Sequence, residues 1–117
     1  AYDKAPLNTV EMSDSTLQAV KEGMHNLTTG SLSYYFSNCV VSAGAKTGTA
    51  ETGIANTNNG VFVCFAPYDD PQIAVAVVIE KGGSGAALAS TAVDIVNSYF
   101  SQEEIGAVVI GENTLLK

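Results

Sequence analysis

The two most apolar stretches of this chain are short and follow one another closely. The run that begins at Val61 and the run Ile73–Ile79 contain apolar residues only, and Pro-Tyr-Asp-Asp-Pro-Gln separates them. Apolar runs of this length that end at turn residues are typical of strands. Together with an earlier segment rich in small and hydroxyl residues, they predict an antiparallel sheet with strands at about residues 42–52, 61–67 and 72–80. Because the last strand has no polar position, we expect it to be buried on both faces in the middle of a sheet.

Turn residues mark the ends of these strands. Residues 53–60 are rich in Thr, Asn and Gly and predict a loop, in which Asn59-Gly60 is a strong signal for a hairpin turn. Residues 82–85 read Gly-Gly-Ser-Gly, which indicates a sharp turn out of the last strand and into a helix.

A first helix is predicted at about residues 14–29. Four apolar residues share one helical face: Leu17, Val20, Met24 and Leu27. Ser13 or Ser15 can cap its first turn, and Gly30 can end it. His25 lies near the end of this helix, where we expect it to interact with the helix dipole rather than to act as a catalyst.

A second helix is predicted at about residues 85–100. Its apolar stripe contains Leu88, Ala92, Ile95, Val96 and Tyr99, and it should pack on the sheet. We expect residues 31–41 to form a loop with some extended character. Residues 103–117 are predicted to be a tail with a short strand at 107–110. The fold class is therefore α+β, with an antiparallel sheet flanked by helices.

The composition limits the range of partners. The chain has 117 residues, five lysines and no arginine, twelve acidic residues and a net charge of −7. Nucleic acid and anionic lipid are negatively charged and bind to surfaces rich in Lys and Arg. Neither partner is therefore expected. The longest apolar run, Ile73–Ile79, is far shorter than the roughly 20 residues of a membrane-spanning helix.

The only two cysteines are Cys39 and Cys64. Two cysteines without a Cys-x-x-Cys or histidine cluster indicate neither a disulfide framework nor a metal site. If the first two strands form a hairpin, Cys39 lies beyond the paired region, and a bond to Cys64 is not expected. We interpret both thiols as small apolar residues in or near the core.

The segment from Ser42 to Glu51 is the candidate functional strand. Gly44 and Gly48 flank a single lysine, Lys46, and the neighbouring residues are small or carry hydroxyl groups. Glycine inside a strand often marks a place where a ligand approaches the backbone. An extended substrate could bind here as an added strand, while the lysine attracts an anionic group. The alternative is an ordinary solvated lysine that protects an edge strand from aggregation.

Lys46-Thr47-Gly48-Thr49 resembles the lysine-threonine-glycine element of penicillin-binding proteins and serine β-lactamases. The order of elements over residues 13–100 strengthens this resemblance, because a helix, this strand, two apolar strands and a glycine-rich start of a helix follow one another. Phe65-Ala66-Pro67 and Glu80-Lys81-Gly82-Gly83 are similar to class B members of the family. The resemblance implies a partial transpeptidase domain of the β-lactamase-like superfamily, in which residues 1–117 are a carboxy-terminal part.

The resemblance also implies roles for the residues of the motif. Lys46 would lie beside the proton relay of a serine nucleophile and attract the substrate carboxylate. The hydroxyls of Thr47 and Thr49 would bind that carboxylate, the N–H of Thr49 would be an oxyanion donor, and Gly48 would keep the face of the strand clear. No serine in the chain is followed by lysine three residues later, and no Ser-x-Asn occurs. We therefore expect the nucleophile to lie upstream of this chain, which should be inactive alone.

The function implied by the resemblance is D,D-transpeptidation in bacterial peptidoglycan synthesis through an acyl-serine intermediate. The expected partners are the remainder of the transpeptidase domain and a peptidoglycan stem peptide or β-lactam, with no metal or organic cofactor. The parent protein is expected at the extracytoplasmic face of the bacterial cell membrane. We also expect the fragment to form a homo-oligomer through an exposed strand edge. The alternatives are a D,D-carboxypeptidase or β-lactam sensor of the same fold, or a non-catalytic interaction module.

Overall fold

The computed structural model of this chain describes the backbone of residues 5–115 and the side chains of residues 5–102. The elements in chain order are α1 (Asp14–Thr29), α2 (Ser33–Phe36), β1 (Gly44–Ala50), β2 (Asn59–Ala66), β3 (Ile73–Ile79), a 3₁₀ turn (Gly85–Leu88) and α3 (Ala89–Leu115). The α+β class, the antiparallel sheet and the helices on either side of it in the chain are as the sequence predicts.

The sheet has the strand order β1-β2-β3, and both pairs are antiparallel. Lys46 pairs with Val63, which in turn pairs with Ala76. Because side chains alternate along a strand, these three residues share one face, while Ala45 and its partners share the other. We call the face of Lys46 the open face, since it lies opposite the one that α3 covers.

The core lies between the sheet and α3. Phe62 and Val96 are its largest fully buried side chains. Ala89 and Ala92 are 0% exposed, and their small side chains allow α3 to lie close to the sheet. Phe36 of α2 stacks beside Phe62 at a ring-centroid distance of 6.3 Å, so this short helix closes one side of the core.

The ends of α1 are those that its sequence predicts. The Ser13 side chain accepts a hydrogen bond from the N–H of Thr16 at 3.2 Å and thus caps the first turn. Gly30 ends the helix, and its N–H donates to the carbonyl of Asn26 at 2.9 Å. A Cβ atom at Gly30 would lie only 2.6 Å from that carbonyl oxygen, so the helix end requires glycine.

The prediction for Asn59-Gly60 is wrong, because both residues belong to β2 and pair with Ala50 and Thr49. The chain reverses earlier, within residues 51–58. Gly53 and Asn56 take positive φ values of 79° and 61° there, so they supply the left-handed backbone that the reversal needs. A tight turn at Asn59-Gly60 would have removed two residue pairs from the β1–β2 ladder.

Two predictions of irregular structure are also wrong. Residues 31–41 contain the helix Ser33–Phe36 rather than an extended loop. The predicted tail at 103–117, with its strand at 107–110, is helical as far as Leu115, and residues 116–117 lie outside the described part. A lone strand would leave its N–H and C=O groups without a ladder, whereas a helix pairs its own backbone groups.

The prediction that Ile73–Ile79 lies in the middle of a sheet is wrong for the residues that the structure describes. There β3 pairs with β2 alone, and Val75 is its only buried residue. Val78 and Ile79 are 62% and 43% exposed. The strand is apolar because one face packs under α3, but no described element covers its other face or its outer edge. Among the described residues, no helix is long and apolar enough to cross a membrane.

Candidate functional site

The candidate strand β1 leaves the core at the position of its lysine. Gly44 and Ala45 are buried, whereas Lys46 and Thr49 are exposed and the residues between them are half-buried. Within the described part of the chain, β1 pairs with β2 only, so its other edge is free. An extended ligand could therefore pair with the N–H and C=O groups along this edge, as an added strand does.

Lys46 lies on the open face of the sheet and borders a groove of about 430 Å³. The wall of the groove opposite β1 belongs to α1 and is formed by Val20, Gly23, Met24 and Leu27. The Lys46 Nζ donates one hydrogen bond, to the carbonyl of Thr47 at 2.7 Å. An ammonium group has three donors, so two remain for a ligand as far as the described residues are concerned. A cation beside an apolar wall is well placed to attract an anion.

The side chains of Thr47 and Thr49 lie on the face of the sheet opposite Lys46. Their register partners are Phe62 and Gly60, whereas Lys46 pairs with Val63. The two threonine side chains and the lysine therefore start from opposite faces of β1, although Thr47 borders the same groove as Lys46. The structure thus places the three residues on one edge strand, and Lys46 and Thr47 beside one groove.

Gly48, which the sequence predicts to keep the face of the strand clear, has ordinary packing space around it. A Cβ atom at Gly48 would meet the Val61 Cβ at 3.5 Å, which is an ordinary contact. The close approach is made instead by Gly85, where a Cβ atom would lie 2.3 Å from the Val61 oxygen and 2.4 Å from the Gly48 oxygen. The sequence indicated a turn at this glycine, but not that the turn presses on the backbone of the candidate strand.

The beginning of β1 is fixed by α1. The Thr28 hydroxyl lies 2.7 Å from the carbonyl oxygen of Ala43, and His25 Nδ1 lies 3.0 Å from the same oxygen. The His25 ring also stacks on Tyr68 at a centroid distance of 4.3 Å. The partner of this histidine is therefore the start of β1, and not the end of its own helix as the sequence suggested.

The cysteines take no part in the site. Cys64 is buried and Cys39 is half-buried, and both are free thiols. Burial, with a further contribution from Cys39, raises the pKa of the Cys64 thiol to about 11. Burial also raises the pKa of Cys39. Neither thiol is activated as a nucleophile, and the interpretation as small apolar residues is confirmed for Cys64, which belongs to the core.

Known proteins of one family resemble this chain. The family model of the penicillin-binding protein transpeptidase domain matches residues 2–99. Penicillin-binding protein 2B of Streptococcus pneumoniae is 38% identical over 109 residues, which cover 80% of this chain and 15% of the relative. Peptidoglycan D,D-transpeptidase MrdA of Escherichia coli is 31% identical over 88 residues, which cover 61% of this chain and 14% of that protein.

A solved structure shows the same fold. The structure of penicillin-binding protein 2B from Streptococcus pneumoniae superposes with a TM-score of 0.69 at 36% identity, over 82% of this chain and 17% of the larger one. The chain thus spans less than a quarter of the length of these relatives. With its sheet, its flanking helices and its family match over residues 2–99, the chain belongs to the penicillin-binding protein transpeptidase family.

Proposed function

We propose that this chain is the part of a bacterial peptidoglycan D,D-transpeptidase that holds the substrate, with β1 as the binding strand. The observation that carries the proposal is the position of Lys46. Its ammonium group lies on an edge strand beside a groove, uses one of its three donors and forms no ion pair with the described residues. A substrate carboxylate placed there would gain charge-assisted hydrogen bonds.

In this proposal the motif residues divide the work. Lys46 attracts the carboxylate of the stem peptide and lies beside the proton relay of the nucleophile. Thr47 and Thr49 donate their hydroxyls to that carboxylate, and the Thr49 N–H is an oxyanion donor. Gly48 keeps the face of the strand clear. The free edge of β1 supports this division, because a peptide paired along it lies within reach of side chains from both faces.

The remainder of the domain supplies the serine nucleophile. That serine attacks the D-alanyl-D-alanine peptide bond, D-alanine leaves, and an amine of a neighbouring stem peptide resolves the acyl-enzyme. A β-lactam would acylate the same serine. Neither a serine–lysine pair nor Ser-x-Asn occurs in this chain, so we propose that the chain alone is inactive. The parent protein would act at the extracytoplasmic face of the bacterial cell membrane.

The open face of the sheet is where the remainder of the domain would pack. Val63 is 38% exposed and Val78 is 62% exposed on this face, and Ala74 and Ala76 are exposed beside them. Apolar surface of this kind in a soluble domain usually marks a contact region. The groove beside Lys46 opens on the same face, so a segment that covers the valines would also approach the ammonium group.

The test is acylation of the full-length protein by a fluorescent penicillin. We expect Lys46→Met, which keeps the chain length but removes the charge, to lower the second-order acylation rate by about 10²-fold or more. Lys81→Asn is the matched control, because it removes a charge of the same sign at an exposed position with φ 55°, which asparagine tolerates. Unchanged labelling of the Lys46→Met protein would show that β1 is not part of the reaction centre. A protein that takes no label even with wild-type residues would be a non-catalytic module.

A further inference from the structure

We propose that Thr28 and His25 are positioning residues, which hold the start of β1 against α1 and thereby set the position of Lys46. The inference rests on the proposed function, since it concerns how the substrate-binding strand is kept in place. We call these two side chains and the Ala43 carbonyl the Ala43 clamp. Neither residue touches the groove beside Lys46, so both would act through the backbone.

Thr28 is the only buried polar residue among those that the structure describes, with 4% of its surface exposed. A hydroxyl group has one hydrogen to donate. Its oxygen lies 2.7 Å from the Ala43 oxygen and 2.9 Å from the His25 carbonyl of its own helix. Threonine in a helix commonly bonds a carbonyl of the preceding turn. Here a closer acceptor belongs to another element, so the hydroxyl links α1 to β1.

His25 makes the second bond of the clamp. A carbonyl oxygen only accepts, so Nδ1 must carry the hydrogen in the 3.0 Å contact with Ala43. The ring plane is held by Tyr68, which stacks on it at an interplanar angle of 24°. The hydroxyl of Tyr68 accepts a hydrogen bond from the Gln18 amide at 3.2 Å. The backbone N–H of Tyr68 donates to the Ser42 carbonyl at 2.9 Å. The histidine is thus oriented from α1 and from the turn after β2.

The location of the clamp explains what it could control. Ala43 precedes Lys46 by three residues, or about 10 Å of extended chain. Within the described residues, β1 has a ladder on one side only, so its start has no second strand to hold it. A slip of one residue would move Lys46 from the open face to the face that α3 covers. Two hydrogen bonds to one carbonyl, together with the Tyr68 bond to Ser42, oppose such a slip.

The experiment compares paired variants of the full-length protein in the penicillin acylation assay, at a temperature well below unfolding. Thr28→Val keeps the shape but removes the hydroxyl, and Thr28→Ser restores it. His25→Phe keeps the stacking on Tyr68 but removes the donor, and His25→Asn returns a donor near Nδ1. Val96→Ala is the control, because Val96 is fully buried in α3, which contributes no residue to the clamp, and its truncation weakens the fold.

We expect Thr28→Val and His25→Phe each to slow acylation by about tenfold, since displacement of a reacting group by about 1 Å can cost 10²-fold. The loss should fall mainly on the acylation step rather than on penicillin binding, and the backbone amides of residues 44–46 should exchange hydrogen faster. Thr28→Ser and His25→Asn should recover most of the rate. If Thr28→Val does not fold, the His25 pair carries the test.

The inference is overturned if Thr28→Val and His25→Phe acylate no more slowly than Val96→Ala. It is also overturned if the slow variants are not rescued by serine and asparagine, because the effect would then be general destabilisation. Lys46→Met in the same assay separates the two proposals. Normal labelling of Lys46→Met removes the proposed function and the clamp's role in it together. Loss of labelling there, with unaffected clamp variants, removes the clamp alone.

Discussion

Replacement of Gly85 by alanine should destabilise the fold strongly. The new Cβ atom would lie 2.3 Å from the Val61 oxygen and 2.4 Å from the Gly48 oxygen. An ordinary contact of carbon with oxygen needs about 3.3 Å, so the 3₁₀ turn would have to move by about 1 Å. Both neighbours are backbone atoms of paired strands and cannot rotate away. Extra atoms in packed sites typically lower the free energy of unfolding by about 1–3 kcal/mol, so we expect Gly85→Ala to lower it by about 3 kcal/mol.

The displacement would also disturb Leu88, which is 5% exposed and lies in the same turn. Gly23→Ala is the matched control, because nothing lies within 4 Å of a Cβ atom at that position in α1. Alanine there should stabilise the helix by about 0.5–1 kcal/mol. The assay is urea unfolding of each variant followed by far-ultraviolet circular dichroism. An unfolding free energy of Gly85→Ala within about 0.5 kcal/mol of the unsubstituted chain would refute the steric argument.

Two further predictions concern the Cys64 thiol and the exposed edge strand β3. Because burial raises the pKa of Cys64 from 9.0 to about 11, its protonated form stabilises the fold at all pH values below about 9. This contribution should be lost as the pH rises from about 9 to about 11. Thermal unfolding at successive pH values would detect the loss in the unsubstituted chain but not in Cys64→Ala. Melting temperatures that respond to pH in the same way in both proteins would contradict the prediction. We also expect the 117-residue chain to associate through β3, whose residues Val78 and Ile79 are 62% and 43% exposed. A lysine in place of the exposed Ala76 should reduce the mass found by light scattering, and a monomeric unsubstituted chain at high concentration would argue against this edge.

The sequence predicted the elements whose signals are local. The cap at Ser13, the helix end at Gly30 and the apolar runs of β2 and β3 each depend on neighbouring residues only. The prediction for the first strand, 42–52, was longer than the observed Gly44–Ala50. Strand ends depend on where the partner strand stops, and β2 begins at Asn59, opposite Ala50.

The features that could not be predicted depend on contacts between distant parts of the chain. Gly85 meets the backbone of Gly48, which is far from it in sequence, and no local pattern marks that contact. Thr28 reads as an ordinary threonine at the end of a helix, yet its hydroxyl reaches Ala43. The position of Lys46 at a strand edge followed from its small neighbours, but the apolar wall of its groove belongs to α1 and required the packing of the helix against the strand.

Within the part of the chain that the structure describes, every strand pairs only with its neighbour in chain order, so the polypeptide passes from β1 to β3 without crossing over. Loops that join consecutive strands lose little entropy on closure, and arrangements rich in such near-neighbour contacts fold rapidly. The meander of β1, β2 and β3 can therefore assemble before any strand from elsewhere in a larger domain arrives. A segment from another part of a larger domain could then align along an edge of a sheet that is already formed.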